Sequence, residues 1–321
     1  MTMHGLMAVY RKELADHFSS YRFVLLFALI AMVSFITSYM AAIHLRESLE
    51  GVAKPQFVFL MLFNVPGALF SMVQFVAFFG PLIGIILGFD AINRERAQGT
   101  LVKVLSQPIF RDAVINGKFL AGATTITIML LSIVLVISGL GLILLGIVPG
   151  IEEIWRLFIY VVISVFYICF WLGLSILFSV LFRGIATSAL ASVALWIFLS
   201  FFVSLGASVL AGTLAPIDKR ESTSTETLLR NARIKEIVNI FSPMELYSSA
   251  SATIIDPMRK TTRTMIAMGA LEEISSSRFQ NPLSLGQSIL VVYPHMVALI
   301  AISLICFAIS YTVFMVQEIR T

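Results

Sequence analysis

The stretch "GPLIGIILGFDAINRERAQGTL", residues 80–101, joins two kinds of chain. Its first half closes a run of more than twenty residues without a charge. Its second half carries Asp90, Arg94, Glu95 and Arg96, then Gly99 and Thr100, and beyond residue 111 the chain turns apolar again. An apolar run of about 20 residues is the length of a helix that crosses a bilayer core. Residues 80–101 therefore read as the end of one membrane helix and the charged turn leading to the next. Gly80, Gly84 and Gly88 recur every four residues, a tandem G-x-x-x-G that lets two helices approach closely. The neighbouring helix can belong to the same chain or to a second copy, and the same chain is the commoner case.

The whole composition agrees. Of 321 residues, 59% are hydrophobic and 12% charged, against about 25% charged in a soluble domain. Mean hydropathy is +0.96. There are too few charges to cover a water-soluble surface, so the chain is read as an all-α integral membrane protein. The net charge of +4 is ordinary for membrane proteins, whose inner loops are basic, and does not point to nucleic acid. Cys169 and Cys306 lie in apolar runs and suggest no disulfide. The first apolar run, residues 23–43, has 21 residues, too long for the core of a signal peptide at about 7–15.

Six runs are long enough to span: 22–43, 67–89, 113–148, 155–182, 185–211 and 288–315. The third is long for one crossing, so its first turns are expected in the cytoplasm or the headgroup layer. With both termini inside, the inner segments carry ten basic residues (Arg11, Lys12, Arg22, Arg94, Arg96, Lys103, Arg111, Lys118, Arg183, Arg320), and the short outer ones three, Arg46, Lys54 and Arg156. The positive-inside rule favours that orientation. Before the first span, Met7, Tyr10, Leu14, Phe18 and Tyr21 fall on one helical face, which suggests an amphipathic helix on the membrane surface. The expected division is 1–211 for this helix and five spans, 212–287 for an extracytoplasmic helical segment, and 288–321 for the sixth span and a cytoplasmic end. Within that segment Ile234, Ile237, Val238 and Phe241 form a helical stripe, Ser242-Pro243 interrupts it, and Met244, Tyr247, Ser251 and Ile254 suggest a second helix. The reading is a small cap outside the membrane.

Several chemistries lack support. His4, His17, His44 and His295 are scattered, with no metal-ligand spacing. Gly117-Lys118 has neither the upstream Gly nor the following Ser or Thr of a phosphate-binding loop. No catalytic set is expected. The spans carry essentially no ionisable residue between their ends, which weakens an ion-coupled carrier. Ser188, Ser192, Ser200, Ser204 and Ser208 line the fifth span, and bonding back to helix carbonyls is their common fate.

The informative segment is 94–120, "RERAQGTLVKVLSQPIFRDAVINGKFL". Gly99 breaks the helix leaving the second span, and Thr100 can cap a new one. On that short helix Leu101, Val104 and Leu105 share a face, Pro108 ends it, and Asp112 can cap the third span. A short amphipathic helix below the membrane can rest on headgroups or dock in a partner's groove.

The ordered pattern of Glu95, Gly99-Thr100-Leu101, Leu105, Pro108, Arg111 and Gly117-Lys118-Phe119 resembles the permeases of ABC-2 type transporters. "RKEL" from Arg11, "FSPMELY" from Phe241, "PLSLGQSILVVYP" from Pro282 and "QEIR" from Gln317 extend the resemblance over nearly the whole chain. It looks closest to the subgroup that includes the permease for nitrous oxide reductase maturation. The resemblance implies a membrane subunit, in most cases of an exporter, in a prokaryotic plasma membrane. It implies a second permease copy and a separate cytoplasmic ATPase subunit, which would hold ATP and magnesium; this chain would carry no cofactor. The ATPase would dock on a coupling helix at Glu95, Arg96, Gly99, Thr100, Leu101, Val104, Leu105, Pro108 and Arg111. Two other classes stand beside it: a mechanotransmission complex acting on an extracytoplasmic protein, and an ion-coupled carrier.

Overall fold

The computed structural model describes residues 3–49, 57–63, 71–100, 110–216, 225–257 and 282–317. Among them every regular element is helical. In chain order they are α1 (Met3–Ser19), α2 (Tyr21–Leu49), α3 (Val58–Met61), α4 (Met72–Gly88), α5 (Asn93–Ala97), α6 (Arg111–Leu145), α7 (Ile151–Leu181), α8 (Ile185–Ile197), a π-helical turn (Phe198–Phe202), α9 (Val203–Leu214), α10 (Thr225–Asn239), α11 (Pro243–Ile255) and α12 (Leu285–Val316). Six stretches are long and apolar enough to cross a membrane: Tyr21–Glu47, Met72–Ala97, Arg111–Leu145, Ile151–Leu181, Ile185–Leu214 and Leu285–Val316. Each contains one of the six runs read from the sequence, apart from residues 67–71 of the second run, 146–148 of the third and 182 of the fourth.

Local chemistry sets where the spans start. Ser71 and Gln74 form a reciprocal capping box at the start of α4, with the Ser71 hydroxyl accepting from the Gln74 N–H at 3.2 Å and the Gln74 amide accepting from the Ser71 N–H at 3.1 Å. Ser284 and Gln287 repeat it at the start of α12. At α7 the Glu153 carboxylate accepts from the Gly150 N–H at 2.8 Å. The start of α6 differs from expectation. Its N-cap is Phe110, which has no side-chain cap, and Asp112 lies inside the first turn, where a carboxylate interacts favourably with the helix dipole.

The fourth span, α7, is the centre of the bundle: 72% of its apolar window is buried, against 61% for the second span, 22% for the first and 17% for the fifth. The first and fifth spans thus present wide apolar faces outward. The glycine series joins the two central spans. A Cβ at Gly84 would lie 2.7 Å from the carbonyl oxygen of Ile168, and one at Gly88 2.9 Å from that of Leu172, so α4 and α7 meet backbone to backbone. A hydrogen bond reinforces this contact. Pro81 has no N–H for the carbonyl of Ala77, and the Tyr167 hydroxyl of α7 donates to that carbonyl at 2.7 Å.

The segment before the last span is helical, but it is not a cap resting on the bundle. α11 is capped by Ser242, starts at Pro243, and buries ten of its residues among the spans. Tyr247 stacks on Tyr167 at 4.4 Å between ring centroids and shares a hydrogen bond with Ser164 at 3.0 Å. Tyr167 lies sixteen residues into α7, about 24 Å along the helix axis. α11 therefore re-enters the bundle from the end where α7 begins. α10 also departs from expectation. Its stripe is only half covered: Ile234 and Val238 are half-buried, while Ile237 is 55% exposed and Phe241, just past the helix, 72%. The residue that turns inward is Asn231, whose amide donates to the carbonyls of Ala211 and Ala215 at 2.9 and 2.8 Å. Those carbonyls belong to the last turn of the fifth span and its cap, where helix carbonyls run out of partners; Ala211 also accepts from the Ala215 N–H at 2.9 Å.

The serine face of the fifth span divides. Ser192 and Ser208 bond back to the carbonyls of Ser188 and Ser204, while Ser204 donates to Glu245 of α11 at 3.2 Å.

Candidate functional site

The charged turn sits at the end of the bundle that also holds α1, the start of the third span, the turn between the fourth and fifth spans, and the end of the sixth. Several polar groups of residues 90–96 are held by other elements. Asp90 receives the Arg22 guanidinium at 3.0 Å. The N–H groups of Ile92 and Asn93 donate to the Ser179 hydroxyl at 3.0 and 3.1 Å, and the Asn93 amide donates to the carbonyl of Gly184 at 3.3 Å. Arg96 donates to the side chain of Gln317 at 3.0 Å, and Arg111 to the carbonyl of the same residue at 3.1 Å. The Gln317 amide in turn donates to the carbonyl of Val180.

Glu95 belongs to a cluster of four charges. One of its carboxylate oxygens accepts from Lys118 at 3.0 Å and Lys12 at 3.3 Å. Glu13 accepts from the same two lysines, at 2.8 and 2.9 Å. Lys118, Glu13 and Glu95 are buried, at 5%, 8% and 9% exposure. Burial opposes the charged form of Glu13, yet the Lys118 and Lys12 ammonium groups lower its pKa below the usual value. Burial likewise opposes the charged form of Lys12, and its bonds to Glu13 and Glu95 raise its pKa above the usual value. Burial also lowers the pKa of His17, one turn further along α1.

The face of α1 turned to the third span carries Val9 and Glu13, and Tyr10 of the apolar stripe donates to Thr124 at 3.1 Å. Met7 and Phe18 stay exposed.

The residues expected at the docking segment fall into three groups. Glu95 points inward, and Arg96 and Arg111 are tied to the end of the sixth span. Gly99 is exposed, as are its neighbours Arg94 and Gln98, which are not among the expected residues, and nothing lies within 4 Å of a Cβ built on Gly99, whose φ is +65°. Thr100 donates back to the carbonyl of Glu95 at 3.2 Å, closing the turn behind it. Leu101, Val104, Leu105 and Pro108 lie outside the described residues.

At the opposite end, Arg156 of α7 is fully buried. It donates to the carbonyls of Ile254 at 3.1 Å and Leu283 at 2.6 Å, to the Ser288 hydroxyl at 3.0 Å and to Glu152 at 2.9 Å. Its guanidinium also lies 5.3 Å from the ring centre of Phe57. One arginine thus joins the fourth span to α11, to the start of the sixth span and to Phe57. In the sequence Arg156 counts only as a loop charge, and Lys118 as a loop charge and a member of the Gly117-Lys118-Phe119 pattern.

These features define a polytopic helical membrane protein whose ionic contacts gather at the two ends of its spans. Among the described residues no group of His, Cys, Asp or Glu is placed to hold a metal. The chain belongs to the ABC-2 transporter family: the family profile described as "ABC-2 family transporter protein" matches residues 7–319. It is similar to the "Probable ABC transporter permease protein NosY" of Pseudomonas aeruginosa, 33% identical over 89 residues, which are 28% of this chain and 31% of that relative. It is also similar to the protein of the same description from Stutzerimonas stutzeri, 36% identical over 56 residues, 17% of this chain and 20% of that relative. The matched stretches thus span about a third and a fifth of these relatives. The chain is a multi-pass membrane protein of this family.

Proposed function

We propose that this chain is the permease of an ABC exporter in a prokaryotic plasma membrane, with both termini in the cytoplasm. A separate ATPase subunit, holding ATP and magnesium, docks on the segment 94–111, and a second copy of the permease completes the pathway. The observation that carries the reading is the division of labour around Glu95. The segment is fixed to α1 and to the third, fourth and sixth spans by inward-facing groups, while Arg94, Gln98 and Gly99 stay exposed for a partner. A push on this surface reaches several spans at once. The exposed first and fifth spans offer apolar faces for a second copy.

A second reading is mechanotransmission, in which hydrolysis inside moves an outer segment against an extracytoplasmic protein. It is favoured by one feature: α11 is embedded beside the fourth span, so a movement of that span carries α11 with it. A vesicle assay separates the two. The tagged chain is purified in mild detergent with its ATPase, reconstituted, and supplied with membrane extract as cargo. ATP-dependent accumulation of an extract component supports export; ATP hydrolysis without accumulation supports mechanotransmission.

A further inference from the structure

We propose that Lys118 is the positioning residue that transmits movement of the ATPase-docking segment to the third span and to α1. The inference rests on the docking reading above.

Lys118 is the eighth residue of α6, with 4% of its side chain exposed. Its ammonium touches two carboxylates from different elements: Glu13 on α1 and Glu95 on α5, the short helix that leaves the second span. The preceding residue makes this meeting possible. A Cβ at Gly117 would lie 2.8 Å from the Val9 side chain, so only glycine lets α1 come this close to α6. The other oxygen of Glu95 is buried and without a partner among the described residues. Glu95 is therefore held in the cluster by the lysines alone. Lys12 is the weaker arm, because its side chain is 56% exposed and solvent screens it.

Apolar helix faces can slide past one another at small cost, whereas a buried charge pulled from its partner is left uncompensated in a poorly polarisable setting. Three elements joined through one buried ammonium therefore move together. α5 has its own tether to the fourth span through Ser179. Lys118 adds the third span and α1 to what a displaced α5 must carry.

The test uses the permease–ATPase complex in lipid nanodiscs. A bimane label is placed in separate samples at Gln98→Cys, on the docking segment, and at Val148→Cys, exposed just beyond the far end of the third span. Cys169 and Cys306 are buried and stay unlabelled. Trapping with ATP and vanadate is expected to shift the emission at both positions in the otherwise native chain. In Lys118→Met, a close match in length, the shift at Gln98 persists and that at Val148 falls to less than half. An undiminished shift at Val148 overturns the inference. If Lys118→Met does not assemble, Glu13→Gln serves. It keeps Lys118 paired with Glu95, so the Val148 shift should persist while a shift at His4→Cys on α1 is lost; persistence at His4 overturns the inference. Failure of the docking reading is distinct, because the native chain would then retain no ATPase.

Discussion

Replacing Gly84 with alanine tests the packing on which the bundle depends. The added Cβ would lie 2.7 Å from the carbonyl oxygen of Ile168, 2.8 Å from the N atom of Leu172 and 2.9 Å from the Cβ of Trp171. None of these atoms ends a flexible side chain, so none can swing aside. The helices must part until the shortest contact reaches about 3.4 Å, an opening of roughly 0.7 Å. A radial gap of about 0.5–1 Å forfeits a quarter to a half of each dispersion contact across it. Overpacking of this kind costs about 1–3 kcal/mol. The upper part of that range applies here, because Gly80 and Gly88 lie on the same interface and open with it. The same substitution at Gly139, where nothing lies within 4 Å, is the control. It should be neutral or slightly stabilising, since alanine suits a helix better than glycine by about 0.5–1 kcal/mol. Thermal unfolding in mild detergent compares them. The expected result is a fall of several degrees for Gly84→Ala and none for Gly139→Ala. Equal midpoints for Gly84→Ala and the native chain would refute the backbone contact between α4 and α7.

Other predictions concern the polar ties. Tyr167→Phe leaves the Ala77 carbonyl unpaired and should cost about 1–2 kcal/mol; combined with Pro81→Ala, which restores the missing N–H, it should cost markedly less, and a double-mutant cycle measures the difference. Arg156→Met removes donors from Ile254, Leu283 and Ser288 and should destabilise the protein by about 3 kcal/mol, with proteolysis near residues 282–288 as a second readout. Acid should weaken the end of the bundle that carries α1. Burial lowers the pKa of His17 in the folded state, so the unfolded chain binds the extra proton as pH falls below about 6.5. Glu13, lowered by Lys118 and Lys12, adds a further loss below about 4.5. Unfolding midpoints should therefore drop between pH 7 and 5, and His17→Asn should flatten that drop; an unchanged slope would remove His17 from the account.

Much of this architecture is legible in the sequence because the bilayer imposes a length on each span. The glycine spacing marks a close contact, whereas the apolar runs put the starts of the second and sixth spans at 67 and 288, away from the caps at Ser71 and Ser284. What escapes is decided between elements far apart in the chain. Lys118 meets Glu13 across 105 residues, and Arg156 meets Ser288 across 132; no local pattern distinguishes either from a solvated loop charge. The inward turn of Asn231 depends on carbonyls at the end of the fifth span, and Ile237 and Phe241 face out where burial is the usual expectation. α11 had a local signal. "SSASAT", residues 248–253, is a run of small residues of the kind that fills tight helix interfaces. The exposed corner at Gly99 is the opposite case, legible from glycine alone as a helix break, with a positive φ that other residues rarely adopt.

The most direct measurement for the central claim is ATP hydrolysis in the purified complex. The tagged native chain, drawn from its own membranes in mild detergent, should bring with it a vanadate-sensitive ATPase. Gly99→Pro should not, because proline fixes φ near −65° where the chain needs +65° and so redirects the docking segment. Full recovery of the activity with Gly99→Pro, or no ATPase with the native chain, would contradict the claim that this segment is where the transporter receives its power.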